Sequence, residues 1–152
     1  MKGFSHSKKI DQKIKNLQIA IVISQWNNTI TKNLLKDTVQ TLIKHGVSKS
    51  NISEIKVPGS FELIFAAKKI GTSEKIDAVI VIGCIIKGET PHFEYISNSV
   101  ALGIKDLNIL LKKPIIFGVL TTNNIEQAQE RSSGKKNKGR EFAISAIEMA
   151  KI

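Results

Sequence analysis

The stretch Lys87-Gly88-Glu89-Thr90-Pro91-His92 gathers more chemistry than any other in the chain. Gly88 admits an unusual turn. Glu89 and Thr90 then present backbone amides and a hydroxyl at the start of a helix that Pro91 marks. Free amides at the positive end of a helix dipole favour an anion such as a phosphate. His92 falls in the first turn of that helix, where the same dipole favours a neutral imidazole suited to taking and returning a proton near neutral pH. A lone histidine in such a place is as readily structural as functional, and its position beside a phosphate-type loop gives the functional reading its weight. His6 and His45 have no such setting.

Other candidates are separate in sequence. Trp26, followed by Asn27, is the sole tryptophan and lies among polar neighbours just past an apolar run. It either stacks on a planar ligand or packs as a surface aromatic. Val57-Pro58-Gly59-Ser60-Phe61-Glu62 joins a tight turn to a helix start with Ser60 as N-cap. Its amides and carboxylate suit a polyol, while simple capping, with Glu62 at the positive helix end, is the plainer reading. Cys84 ends an apolar run and reads as a small buried residue, because a nucleophilic thiol also needs a partner that lowers its pKa. Arg131 and Lys138 flank a Gly134 break and could reach a phosphate or polar ring, although surface cations are common. Phe117, inside an apolar run, is core by default.

Several classes are excluded. There is no Walker A sequence and no Gly-x-Gly-x-x-Gly fingerprint. No His/carboxylate pattern marks a metal site, and one cysteine allows neither an intrachain disulfide nor a thiolate cluster. A receiver-like domain would want acidic residues where this chain has Trp26-Asn27 and Gly83-Cys84. No apolar run approaches the roughly 20 residues that span a bilayer, and residues 1–15 lack the apolar core of a signal peptide. A cytoplasmic location is expected. The net charge of +10 fits either a solvated lysine-rich surface or an anionic partner. With aromatics at only 5% and no basic-aromatic interleaving, a small phosphorylated ligand is more economical than nucleic acid.

The elements that must position these residues follow from four short apolar, β-branched runs: Leu17 to Ser24, Ile52 to Val57, Ala78 to Ile86 and Pro114 to Leu120. Such runs suit parallel strands buried on both faces. Helical spacing separates them: Ile30 to Ile43 with Gly46 as stop, Phe61 to Ile70 ending near Gly71, and Pro91 to Leu111 with Gly103 allowing close approach. A last helical part, Ile125 to Ile152, is broken at Ser132-Ser133-Gly134. Alternating strand and helix predicts an α/β fold: a three-layer α/β/α sandwich around a four-stranded parallel sheet of flavodoxin-like order. At 152 residues this is one domain over 17–152, preceded by a flexible or subunit-contact arm over 1–16. In such sheets ligands bind beyond the carboxyl ends of the strands, where Trp26, Ser60, Cys84 to His92 and Val119 to Asn123 fall.

Taken together, these segments closely resemble the 6,7-dimethyl-8-ribityllumazine synthase family from about Leu17 to Ile152. The resemblance rests on the aromatic-Asn pair Trp26-Asn27, on Val57 to Glu62, on Gly88 to Tyr95, on Pro114 to Thr122 and on Asn137-Lys138-Gly139. It implies condensation of 5-amino-6-(D-ribitylamino)uracil with 3,4-dihydroxy-2-butanone 4-phosphate, the penultimate step of riboflavin biosynthesis, with no cofactor. By the same resemblance Trp26 stacks on the pyrimidine, with Asn27 beside it. Ser60, Phe61 and Glu62 hold the ribityl chain, and Cys84, Ile85 and Ile86 line the ring. Glu89 (through its backbone), Thr90 and Arg131 bind the phosphate, Phe117 and Lys138 come from an adjacent subunit, and His92 transfers protons. A homopentamer or a sixty-subunit shell is implied, with riboflavin synthase as a further partner. The stretch between Arg131 and Lys138 is one residue shorter than the common family spacing, which bears on the placement of Lys138 and on assembly. Rival readings are an archaeal-type riboflavin synthase, whose reaction needs no phosphate loop, and a non-catalytic flavin carrier or basic nucleic-acid binder.

Overall fold

In the computed structural model, which describes residues 11–152, the four apolar runs become four parallel strands alternating with helices. In chain order the elements are α1 (Gln12–Lys15), β1 (Ile19–Ser24), α2 (Asn28–Lys44), β2 (Ile52–Val57), α3 (Leu63–Gly71), β3 (Ala78–Ile86), α4 (His92–Leu110), β4 (Ile115–Thr122), α5 (Ile125–Arg131) and α6 (Gly139–Met149). The sheet order is β2-β1-β3-β4, all parallel, as the flavodoxin-like expectation requires. The chain moves outward from β1 to β2 and then crosses back to β3 on the far side. The crevice beyond β1 and β3 is therefore the topological switch point, where helices leave on opposite faces and leave room between them.

Each central strand is apolar, apart from the buried Ser24 that ends β1, because both of its faces are covered. Ile19, Ile21 and Ile23 of β1, with Ile80, Ile82 and Cys84 of β3, share a core with Leu34 and Leu42 of α2 and Ala143, Ala146 and Ile147 of α6. The alternate residues Ala20, Val22, Val79 and Val81 share the second core with Leu63 and Ala67 of α3 and Val100, Ile104 and Leu107 of α4. Larger side chains thus face α2 and α6, and smaller ones face α3 and α4. The expectation of burial on both faces fails for β2. It is an edge strand with Val57 alone buried, Ile52 and Ile55 half-buried and Ser53, Glu54 and Lys56 exposed, since only β1 flanks it.

The stops are local. Gly46 follows α2 at φ 108°, a conformation glycine adopts without a Cβ penalty. Gly134 sits at φ 55° in the break between α5 and α6. The start of α3 corrects the expected cap. The helix begins at Leu63, and Ser60 lies before it in a turn whose carbonyl accepts the Leu63 amide at 3.2 Å. The Glu62 carboxylate instead takes the Gly59 amide at 2.9 Å, closing the turn and delaying the helix. Of the expected arm, residues 1–10 lie outside the described residues. Residues 11–16 form the helical turn α1, capped by Asp11 and tied to the body where Ser48 and Asn51 donate to the Lys15 carbonyl.

Candidate active site

A cleft of about 580 Å³ opens at the carboxyl edge of the sheet, over the switch point. Its walls come from three places. The segment after β1 gives Trp26 and Asn27, the turn after β2 gives Gly59, Ser60, Phe61 and Glu62, and the end of β3 gives Cys84, Ile85 and Ile86. The loop and first turns of α4 close it with Gly88, Thr90, His92, Phe93 and Ile96. Most of the expected residues therefore meet here from sequence positions far apart: Trp26 and Asn27, Ser60 to Glu62, Cys84 to Ile86, Thr90 and His92.

Local folding explains each placement. The Gln25 amide donates to the Val57 carbonyl at 2.8 Å and the Trp26 amide to the Pro58 carbonyl at 3.0 Å, so β1 and β2 end together. Asn27 takes a left-handed conformation (φ 55°, ψ 46°), and its side-chain amide donates to the Cys84 carbonyl at 2.9 Å. Trp26 is 72% exposed, which suits a platform for a planar ligand better than core packing. Ser60 is buried against Gly83, and Glu62 keeps one carboxylate oxygen on the Gly59 amide while the other is available to hydroxyl donors. Cys84 is only 1% exposed, and burial pushes its thiol up to about 11, so it is neutral near pH 7. It shapes the cleft wall as a small apolar group.

The phosphate-type loop is open. Among the backbone hydrogen bonds of the described residues, none engages the amides of Gly88, Glu89 or Thr90. The helix they precede, α4, has no side-chain cap, so its amide end remains available to an anion. His92 is the first residue of that helix and faces the cleft. The expected unusual turn at Gly88 is absent: its φ is not in the positive range, and an added Cβ would meet nothing within 4 Å. The loop reaches the helix without a left-handed residue.

Four expected residues are not in this cleft. Glu89 is exposed beside it. Phe117 lies on edge strand β4, 40% exposed. Arg131 and Lys138 line a separate depression of about 440 Å³ with Lys135, Lys136, Asn137 and Arg140. There Arg131 donates to the Gln127 carbonyl at 3.1 Å and Lys138 pairs with Glu141 at 2.8 Å. Lys136 holds the Glu130 carboxyl below its usual range through a hydrogen bond. Phe93 and Ile96 are cleft residues that sequence reasoning did not single out. For Ile96 the signal was helical spacing, since His92 and Ile96 stand one turn apart on one face. No group of three or more His, Cys, Asp or Glu side chains that could hold a metal ion occurs among the described residues.

A parallel four-stranded sheet of this order, with the uncapped start of α4, His92 and the exposed Trp26 indole meeting in one crevice, defines a flavodoxin-like α/β class with a ligand cleft at its switch point. The model of the 6,7-dimethyl-8-ribityllumazine synthase family matches residues 16–152. Proteins named 6,7-dimethyl-8-ribityllumazine synthase are similar along most of the chain. That of Parabacteroides distasonis is 47% identical over 134 residues, 88% of this chain and 84% of the relative. That of Porphyromonas gingivalis is 48% identical over 137 residues (90% and 85%), and that of Cytophaga hutchinsonii 49% over 130 residues (85% and 82%). The chain belongs to the 6,7-dimethyl-8-ribityllumazine synthase family and is an enzyme of that class.

Proposed function

We propose that the cleft at the switch point is where 5-amino-6-(D-ribitylamino)uracil and 3,4-dihydroxy-2-butanone 4-phosphate condense to 6,7-dimethyl-8-ribityllumazine, the penultimate step of riboflavin biosynthesis. The observation that carries this reading is the convergence of Trp26, Ser60 to Glu62, Cys84 to Ile86, Thr90 and His92 on one cleft. The indole stacks on the pyrimidine, the Ser60 to Glu62 turn holds the ribityl hydroxyls, and the strand end from Cys84 to Ile86 walls the ring. The free amides of Glu89 and Thr90, with the Thr90 hydroxyl, take the phosphate.

The reaction needs orientation and proton transfer. The substrate amine attacks the ketone and water leaves to give an imine. Inorganic phosphate is eliminated, and the ring closes with loss of a second water. His92, at the cleft edge between the phosphate loop and the ring wall, accepts and returns the protons. Holding both reactants in one cleft supplies much of the acceleration, because oriented partners react with large effective molarities.

Phe117 and Lys138 complete the site from neighbouring copies of the chain, as the resemblance implies, and Arg131, which lies with Lys138 outside the cleft, joins them as the phosphate's charged partner. Their separation from the cleft within one chain supports this. So do the exposed apolar side chains Phe65, Tyr95, Leu102, Ile109 and Leu110 on α3 and α4, which suit burial against another copy. A homopentamer or larger shell, a cytoplasmic location for two polar substrates, and riboflavin synthase as partner belong to the same proposal. None of the described helices is long and apolar enough to cross a membrane.

The test is to mix purified protein with both substrates and follow lumazine absorbance and fluorescence against a protein-free control. Protein-dependent product that disappears when the butanone phosphate is omitted is expected. No acceleration by folded, oligomeric protein would refute the reading.

A further inference from the structure

We propose that Asn27 is a positioning residue, fixing the plane of the Trp26 indole and the width of the crevice by tying the end of β1 to the end of β3. Four observations carry this. First, Asn27 is the sole non-glycine residue with positive φ among the described residues. Asparagine tolerates that conformation better than most side chains, and such strain persists where surrounding contacts impose it. Second, Asn27 occupies the N-cap position of α2 but makes no side-chain cap hydrogen bond. Its amide reaches instead to the Cys84 carbonyl, 57 residues away, at 2.9 Å. A usual capping role is forgone for a bridge across the switch point.

Third, the indole is held through its backbone. Trp26 is 72% exposed, so packing does not set its orientation. Its backbone is fixed on the β2 side by the hydrogen bond its amide donates to the Pro58 carbonyl and on the β3 side by the next residue's bridge. Fourth, Trp26 and Asn27 line two clefts: the candidate active site and a second of about 560 Å³ formed with Gln25, Asn28, Ile125 and Gln129. The Trp26-Asn27 segment stands between them. If the bridge is released, the ring gains freedom to swing into either space, and the stacking platform loses its preset plane.

The kinetic consequence rests on the proposed lumazine-forming reaction, but the structural claim does not. Because Trp26 is the sole tryptophan, its fluorescence reports on the platform directly. Asn27→Gly keeps the left-handed conformation and removes the bridge. Asn27→Asp keeps a side chain tolerated there and removes the donor. In the substrate-free protein, both variants are expected to show a larger sub-nanosecond component in the indole anisotropy decay. In turnover, KM for the ribitylaminouracil is expected to rise about 2- to 10-fold, the effect of one lost hydrogen bond, with kcat much less affected.

A raised KM with unchanged anisotropy would overturn the proposal in favour of direct substrate contact. Wild-type anisotropy with wild-type KM, or a loosened indole with wild-type KM, would also overturn it. If the glycine variant does not fold, the aspartate variant decides by the same readouts. If the wild-type protein forms no lumazine, the reaction reading fails, while the anisotropy comparison still decides whether the bridge holds the indole.

Discussion

Gly139→Ala sets two physical effects against each other. Gly139 opens α6, and helix propensity alone favours alanine there by up to about 1 kcal/mol. The structure predicts the opposite sign. A Cβ at Gly139 would stand 2.4 Å from the Leu34 carbonyl oxygen and 2.9 Å from both the Thr38 amide nitrogen and its hydroxyl. Comfortable carbon–oxygen approaches are about 3.3–3.6 Å, so α6 must withdraw from α2 by roughly 1 Å. Two of the obstructing atoms are backbone and cannot swing aside. The Thr38 hydroxyl is also committed, donating to Leu34 at 2.8 Å and reaching the Gly139 carbonyl at 3.1 Å. Overpacking of this kind costs about 1–3 kcal/mol, and a weakened hydrogen bond adds about 1 kcal/mol. After the propensity gain, a net loss of about 2 kcal/mol remains, or a fall in Tm of roughly 4–8 °C for a chain of this size. Urea and thermal unfolding followed by far-UV circular dichroism, at one fixed protein concentration, measure it. Gly88→Ala is the control: its Cβ would meet nothing within 4 Å, so a change within about 0.5 kcal/mol is expected. A Gly139→Ala protein as stable as wild type would refute the close-approach argument.

Three further outcomes are expected. His92→Ala slows lumazine formation by about 10²–10⁴-fold while leaving a measurable rate; steady-state kinetics with saturating substrates check this, and loss of all activity with intact binding would contradict the division of labour. Arg131→Ala raises KM for the butanone phosphate by about 10-fold or more, the usual effect of losing a charge-assisted contact, with KM for the pyrimidine little changed; equal effects on both substrates would count against a phosphate role. The Cys84 thiol, pushed from 9.0 to about 11 by burial, carries about a hundred-fold less thiolate below pH 9 than an unshifted thiol. Iodoacetamide should therefore label folded protein far more slowly than urea-unfolded protein at pH 8. Because the unfolded chain releases this proton first, the same group lowers stability as pH rises from about 9 toward 11 and has no such effect at lower pH. Rapid labelling of the folded form would contradict its burial.

The strands and most helices were legible because apolar runs and helical spacing are local signals that packing then confirms. The edge exposure of β2 was missed although Ser53, Glu54 and Lys56 interrupt its apolar residues, a polar content that the central strands β1 and β3 do not carry. The start of α3 was misplaced because Ser60 is a good cap by type, whereas the hydrogen bond from Gly59 to the Glu62 carboxylate decides where the turn ends. In the site, Trp26, Glu62, Thr90 and His92 stood out by type and place. The bridge from Asn27 to Cys84 could not, because it depends on two strand ends meeting in space. Arg131 and Lys138 were legible as cations, and the resemblance already implied that Lys138 serves a neighbouring subunit; the place of Arg131 outside the cleft within one chain was not legible.

A sheet covered on both faces lacks the usual cue that holds strands in register, the alternation of apolar and polar side chains. Here bulk alternates instead. Along β1, isoleucines at 19, 21 and 23 interleave with Ala20 and Val22, and β3 repeats the arrangement with Ile80 and Ile82 between Val79, Val81 and Gly83. A slip of one residue would drive isoleucines toward α3 and α4, where even a single methyl added at Gly83 would stand 2.6 Å from the Ser60 hydroxyl. The same slip would open voids beneath α2 and α6. The size code therefore acts as a steric ratchet: misaligned pairings are penalised on one face by crowding and on the other by emptiness. The strand ends that bear Trp26 and Cys84 are thereby kept from meeting one residue out of step.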